Sequence, residues 1–261
     1  MKFSVFVVAG AAIAAPLVFA STANATCASV YGFGVGPGSG CTSDFGGSAV
    51  AIGNATATGV GFGNNAFAAG ENADASAVGG NFNTAVAVGE DAASAATGYF
   101  NVAAAVGDRT TAVAAGVGNV AIDSGRNTSI GSGSAVAVGI GNVAANVGED
   151  NVALATSPTV PSIDPLVIGG NRAINVGARN TSASTGNFSR SISLGRDNVT
   201  ESDGTVASAV AVGRNNLTRA YGNFSTAVSV GEDNESNATG NLRASVAAGK
   251  GRVANNGFNN G

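Results

Sequence analysis

Residues 188–205 read FSRSISLGRDNVTESDGT, residues 206–223 read VASAVAVGRNNLTRAYGN and residues 224–241 read FSTAVSVGEDNESNATGN. Aligned block on block, they place glycine at 195, 213 and 231, and again at 204, 222 and 240. The nine-residue spacing continues outward through 177, 186 and 249, and recurs upstream at 80, 89, 98, 107, 116 and 125. Alternate nonamers match best, so the repeat is eighteen residues, with further copies at 170–187 and 242–259. A fixed period of this length marks one supersecondary unit stacked on copies of itself.

Each unit holds an alternating run, such as Ser191-Ile-Ser-Leu194 or Ala209-Val-Ala-Val212. Period two with β-branched residues is a strand, and the glycine after it is a turn, expected at positive φ. A nine-residue strand-plus-turn cannot bury its own face. Stacked at ~4.8 Å per coil, every backbone group pairs above and below. The predicted fold is all-β: a parallel β-solenoid, or β-roll, of about 18 residues per coil with two short strands each. Some eleven coils would span roughly 50 Å.

The alternation predicts one inward column of Ile174, Ile192, Val210, Val228 and Val246, and a neighbouring one of Val176, Leu194, Val212, Val230 and Ala248. Asn175, Ser193, Ala211, Ser229 and Ala247 would then point out. The second strand is small and polar, as in Ser182–Thr185, which implies a narrow interior. The register slips around 131–141 and vanishes over 151–169, where three of the five prolines lie. Proline removes a ladder donor, so 151–169 is expected to be a loop between solenoid segments 47–150 and 170–261.

Forty glycines in 261 residues are about twice the usual share. Without histidine there is no histidine-based acid–base chemistry or histidine metal site. Two cysteines cannot form a four-cysteine zinc site. A formal charge of −4 has the wrong sign for nucleic acid. No cofactor and no enzymatic activity are expected.

Met1-Lys2, an apolar run to Ala20 and the small-residue patch Ser21–Ala25 read as a secretory signal peptide over 1–25. No later segment has eighteen uninterrupted apolar residues, so no span is expected after cleavage. Export permits a disulfide, and Cys27 with Cys41 would tie residues 26–46 as an N-terminal cap.

Asn180, Asn198, Asn216 and Asn234 each stand three residues after a strand-end glycine. Stacked asparagine amides bond along such an axis, which predicts a structural ladder. Asn187, Asn223 and Asn241 suggest a second one at the other turn. The first ladder also creates N-x-Ser/Thr sequons, a by-product of an Asn column beside a Ser/Thr column. Charges follow the glycines along one edge: Glu90-Asp91, Asp108-Arg109, Arg196-Asp197, Arg214, Glu232-Asp233 and Lys250. Mixed signs at a turn read as a solvated edge rather than an acid–base pair. A regular calcium array would need Asp in every nonamer, and none is expected.

Ser48–Gly53 (SAVAIG), Thr84–Gly89 (TAVAVG), Ser134–Gly139 (SAVAVG), Ser208–Gly213 (SAVAVG) and Thr226–Gly231 (TAVSVG) resemble the head repeats of YadA-like trimeric autotransporter adhesins. The resemblance is confined to the repeat motif, with no heptad stalk or membrane anchor expected within these residues. It implies a left-handed roll, surface adhesion and a trimeric state; handedness is otherwise open. The expectation is a secreted or cell-surface, non-enzymatic repeat protein with a structural or adhesive role. Its partner would be a surface or matrix ligand, and it could form a homo-oligomer. Alternatives are an ice-binding solenoid, resting on the file Ser182, Thr200, Thr218 and Ser236, a calcium-binding roll, or a polysaccharide-acting enzyme.

Overall fold

The computed structural model describes residues 27–35, 40–128, 133–157 and 169–256, and the short antiparallel pair Val5–Phe6 with Leu17–Val18. The signal peptide expected over 1–25 otherwise lies outside the described residues, as do 158–168 of the proline loop.

From Cys41 onward the chain alternates between two sheets, and the coil strands in each are parallel. In the repeats quoted above, Arg190–Arg196, Ser208–Arg214 and Thr226–Glu232 are neighbours in the first sheet. Val199–Thr205, Leu217–Tyr221 and Glu235–Thr239 are neighbours in the second. Paired residues are eighteen apart, as Ile192 with Val210 and Val210 with Val228. The sheets have 13 and 12 strands. Eleven in each belong to coils, and the remainder cap the N-terminal end. The protein is a parallel β-solenoid of about 18 residues per coil.

At that end Cys27–Val30 runs antiparallel to Ser48–Ile52, closing the first sheet, and Phe33–Val35 folds back on it. Cys41–Ser43 pairs with Ala55–Val60 in the second sheet. A Cys27–Cys41 disulfide, with Cα atoms 5.8 Å apart, joins the two sheets' first members.

Neither register slip breaks the roll. Val120 pairs with Val143, twenty-three residues on, so five extra residues leave at the corner after Asn127. Val143 pairs with Arg172, twenty-nine residues on, across the proline segment. That segment is narrower than 151–169. Val152–Thr156 is a strand of the second sheet, paired with Ser134–Ile140 on one side and Thr181–Asn187 on the other. The sheets are continuous from one predicted solenoid segment to the next.

The core columns require correction. Ala173, Ser191, Ala209, Ala227 and Ser245 face inward and are buried, as are Asn175, Ser193, Ala211, Ser229 and Ala247. The expected core columns, Ile174, Ile192, Val210, Val228 and Val246 with Val176, Leu194, Val212 and Val230, lie half-buried or exposed on the outer face. The reason is thickness. The second sheet also turns small residues inward, such as Ser182, Ser184, Thr200, Ser202 and Ala220. Two sheets lined with Ala, Ser, Thr and Asn approach closely, leaving no room for a layer of Val and Ile. The N-terminal coils fill this space with alanine, and the C-terminal coils with hydroxyls that bond across it. Ser193 reaches Thr200 across it at 3.0 Å, and Ser182 and Thr200, neighbours within the second sheet, have Oγ atoms 2.8 Å apart. Alanine burial contributes little per residue at ~25 cal/mol per Å². Backbone pairing and the interior polar bonds hold the coils together.

Candidate interaction surfaces

Two corners join the sheets, and both use the same backbone. Gly177 has φ +122°, Arg179 enters the left-handed region at +53°, and Asn180 turns inside. The other corner repeats this with Gly186 at +101°, Phe188 at +54° and the buried Ser189. Glycine is required for space as well as φ. A Cβ on Gly177 would stand 1.8 Å from the Gly195 carbonyl oxygen one coil on.

Inside the first corner runs the asparagine ladder. Asn198 donates its side-chain amide to Asn180 Oδ1 at 3.2 Å, to the Leu194 carbonyl at 3.1 Å and to the Gly213 carbonyl at 3.0 Å. Its backbone N–H also reaches Asn180 Oδ1, at 3.1 Å. Asn216 repeats this pattern on Asn198, and the Asn234 backbone donates to Asn216 Oδ1. Asn180, Asn198, Asn216 and Asn234 are at most 1% exposed, so their sequons face the interior of the folded chain.

A longer ladder lies inside the second corner, through Asn64, Asn83, Asn101, Asn119, Asn142 and Asn171. Sequence reasoning missed it, although Gly98-x-x-Asn101, Gly116-x-x-Asn119 and Gly139-x-x-Asn142 carry the same spacing as the first. Asn187, Asn223 and Asn241 sit outside it. Asn223 Oδ1 accepts from the Thr205 backbone at 3.2 Å, and Asn241 Oδ1 from the Asn223 backbone at 3.3 Å.

The exterior of the first corner is charged. Arg179 grips Asp197 with two nitrogens, at 2.6 and 2.7 Å, and this contact holds the Asp197 carboxyl below its ordinary value. Arg126 pairs with Asp108 at 3.1 Å, and Glu232 takes both Arg214 and Lys250, at 3.6 and 3.2 Å. Glu232 and Asp233 thus stand on an open edge among cations. On the outer second sheet Glu201 accepts from Arg219 at 3.2 Å and from the Tyr221 hydroxyl. Partial burial and this carboxylate push Tyr221 up to about 12.

One acid is interior. Asp123 is 2% exposed in the inward column that continues as Asn146 and Asn175. It accepts from the Thr111 backbone at 2.9 Å and from Asn127 at 3.4 Å. In other coils that strand-leading amide bonds a carbonyl one coil on, as Ala93 does with Thr110 at 2.8 Å. The five-residue insertion displaces the carbonyl here, and the carboxylate substitutes for it. Burial raises Asp123, against the lowering effect of its hydrogen bonds.

The file Ser182, Thr200, Thr218 and Ser236, proposed for ice, is fully buried and presents nothing to solvent. A shallow recess on the second sheet is lined by Asp74, Ser76, Thr111 and Val113 around Ala93 and Ala95, and holds one carboxyl, raised by desolvation. Among the described residues no group of three or more His, Cys, Asp or Glu could hold a metal ion, and no helix is long and apolar enough to cross a membrane.

Fold and surface together define a two-sheet parallel β-solenoid with a small-residue interior, an aliphatic outer face and one charged corner. No protein-family model, curated protein or solved structure matches the chain.

Proposed function

We propose that the chain is an exported, non-catalytic repeat protein with a structural or adhesive role at the cell surface or in the extracellular matrix. The observation that supports this best is the outer face of the first sheet. Ile174, Ile192, Val210 and Val228 form one file and Val176, Leu194, Val212 and Val230 the next, all directed outward. Contiguous apolar surface of this extent marks a contact surface rather than ordinary solvent exposure. The face repeats in register from coil to coil, which suits an extended partner. The partner on this reading is a surface or matrix ligand. Homo-oligomerisation through the same face, trimeric under the YadA-like resemblance, is its second use.

The test is binding of purified protein to immobilised matrix proteins and its partition on cell fractionation. Wild type should bind or stay with the envelope, and Val210→Lys with Val228→Lys should release it. A protein that partitions freely and binds no surface, with or without the lysines, overturns the reading.

A further inference from the structure

The two corners share a backbone but not a chemistry. At the first, the left-handed position holds Asp91, Arg109, Arg179, Asp197, Asn215 and Asp233. At the second, the same position holds Phe82, Phe100, Phe188, Val206, Phe224 and Leu242. The stacking bonds also match: the Asp197 N–H meets the Ala178 carbonyl at 3.0 Å, and the Val206 N–H meets the Asn187 carbonyl at 2.8 Å. Geometry therefore does not call for apolar residues at the second corner.

Physical cost argues against them. Positive φ suits Gly, Asn and Asp, and is an outlier for bulky or β-branched residues such as Val206, at φ +59°. The six side chains are also 44–80% exposed. Strain and exposure both favour asparagine, which the first corner uses at 72 and 215. Stacking within the chain favours phenylalanine at 62, 82 and 100, but it does not account for the apolar residues at 188, 206, 224 and 242.

The ridge is long and uncharged. Phe62 meets Phe82 edge-on with centroids 5.6 Å apart, and Phe82 stacks on Phe100 at 5.3 Å. Val117 and Ile140 continue the exposed apolar line through the middle coils, where Gly118 and Gly141 take the left-handed position. Among the described residues, neither exposed position of this corner carries a charge in any coil from Phe62 to Leu242. Half-exposed rings of about 200 Å² each, with the aliphatic members between them, bring the ridge near the ~800 Å² per partner of a standard interface.

We propose that this apolar corner is a homotypic contact, on which a second copy of the chain packs its own corner. Two observations select that occupant. The chain is net negative, and the two exposed positions of this corner carry no carboxylate in the described coils, with Arg172 and Arg190 standing exposed beside the ridge, so two copies meet there without opposing acids on the contact itself. The side chains also recur at the coil pitch, ~4.8 Å. A second copy has the same pitch, so its apolar side chains meet those of the first coil by coil along the ridge. The contact is independent of whatever the aliphatic face meets.

Light scattering over a concentration series tests it, in a Val210→Lys, Val228→Lys background that removes association through the face. The intact corner should give a mass that doubles with concentration. Phe82→Asn, Phe100→Asn and Phe224→Asn together should give the monomer mass and at least a tenfold weaker association. The circular dichroism should be unchanged, because asparagine suits this backbone. A monomer with the intact corner, or a mass unaffected by the three substitutions, overturns the proposal. Should the triple variant unfold, a photo-cross-linking residue at position 242 decides instead. Cross-links to corner residues of a second copy support the contact, and none there overturns it.

Discussion

Asn180 Oδ1 receives two bonds from Asn198, one from its side-chain amide and one from its backbone, so a single oxygen joins two coils twice. The same amide satisfies the carbonyls of Leu194 and Gly213. Each asparagine thus closes its own corner and ties it to both neighbours.

Asn198→Ala should leave those carbonyls and the Asn180 oxygen short of partners inside the roll. An unsatisfied buried polar group costs about 1–3 kcal/mol, so the loss should be roughly 2–4 kcal/mol in urea unfolding. Asn223→Ala, at the surface of the other corner, should cost under about 0.5 kcal/mol.

Gly195→Ala tests the corner itself. Its Cβ would fall 2.0 Å from the Gly213 carbonyl oxygen, at φ +119°. The melting temperature should fall by more than 5 °C, as for a loss of at least ~2 kcal/mol. Gly251→Ala, at φ +64° with nothing within 4 Å, should be far milder. Equal losses at the two positions would contradict the steric account.

The eighteen-residue coil, the strand–glycine–turn order and the Asn180–Asn234 register were legible because the strand-end glycine, at positive φ and pressed against the next coil's carbonyl, marks nearly every corner, Ser157 being an exception. Which side of each strand faces inward was not. Alternation is unchanged in form by a one-residue shift, and burial preference then assigned Ile192 and Val210 to the core. The opposing clue was present in Ser182, Ser184, Thr200 and Ser202. If these small residues line one wall, the other wall must be small too. Asp123 was illegible because its role depends on the carbonyl that the insertion displaces.

Asp123 and Asp197 should respond to pH with opposite sign. The folded value of Asp123 lies above its unfolded one. Its contribution is full below the unfolded value and is lost as pH rises through the folded value. The folded value of Asp197 lies below its unfolded one, so its contribution holds above the unfolded value and is lost as pH falls through the folded value. Asp123→Asn should raise the melting temperature at pH 7 and flatten its rise on mild acidification. A lower melting temperature at pH 7 would show that the carboxylate's bonds outweigh its burial.

The inverted core is tested most directly by thiol labelling of single cysteines at positions 209 and 210, one residue apart on the strand Ser208–Arg214. Among the described residues the native cysteines are both in the disulfide, so the background is silent. In protein shown to be monomeric by light scattering, Val210→Cys, half-buried on the outer face, should be labelled in the folded state. Ala209→Cys should stay protected until the chain unfolds. Protection at 210 with rapid labelling at 209 would contradict the account.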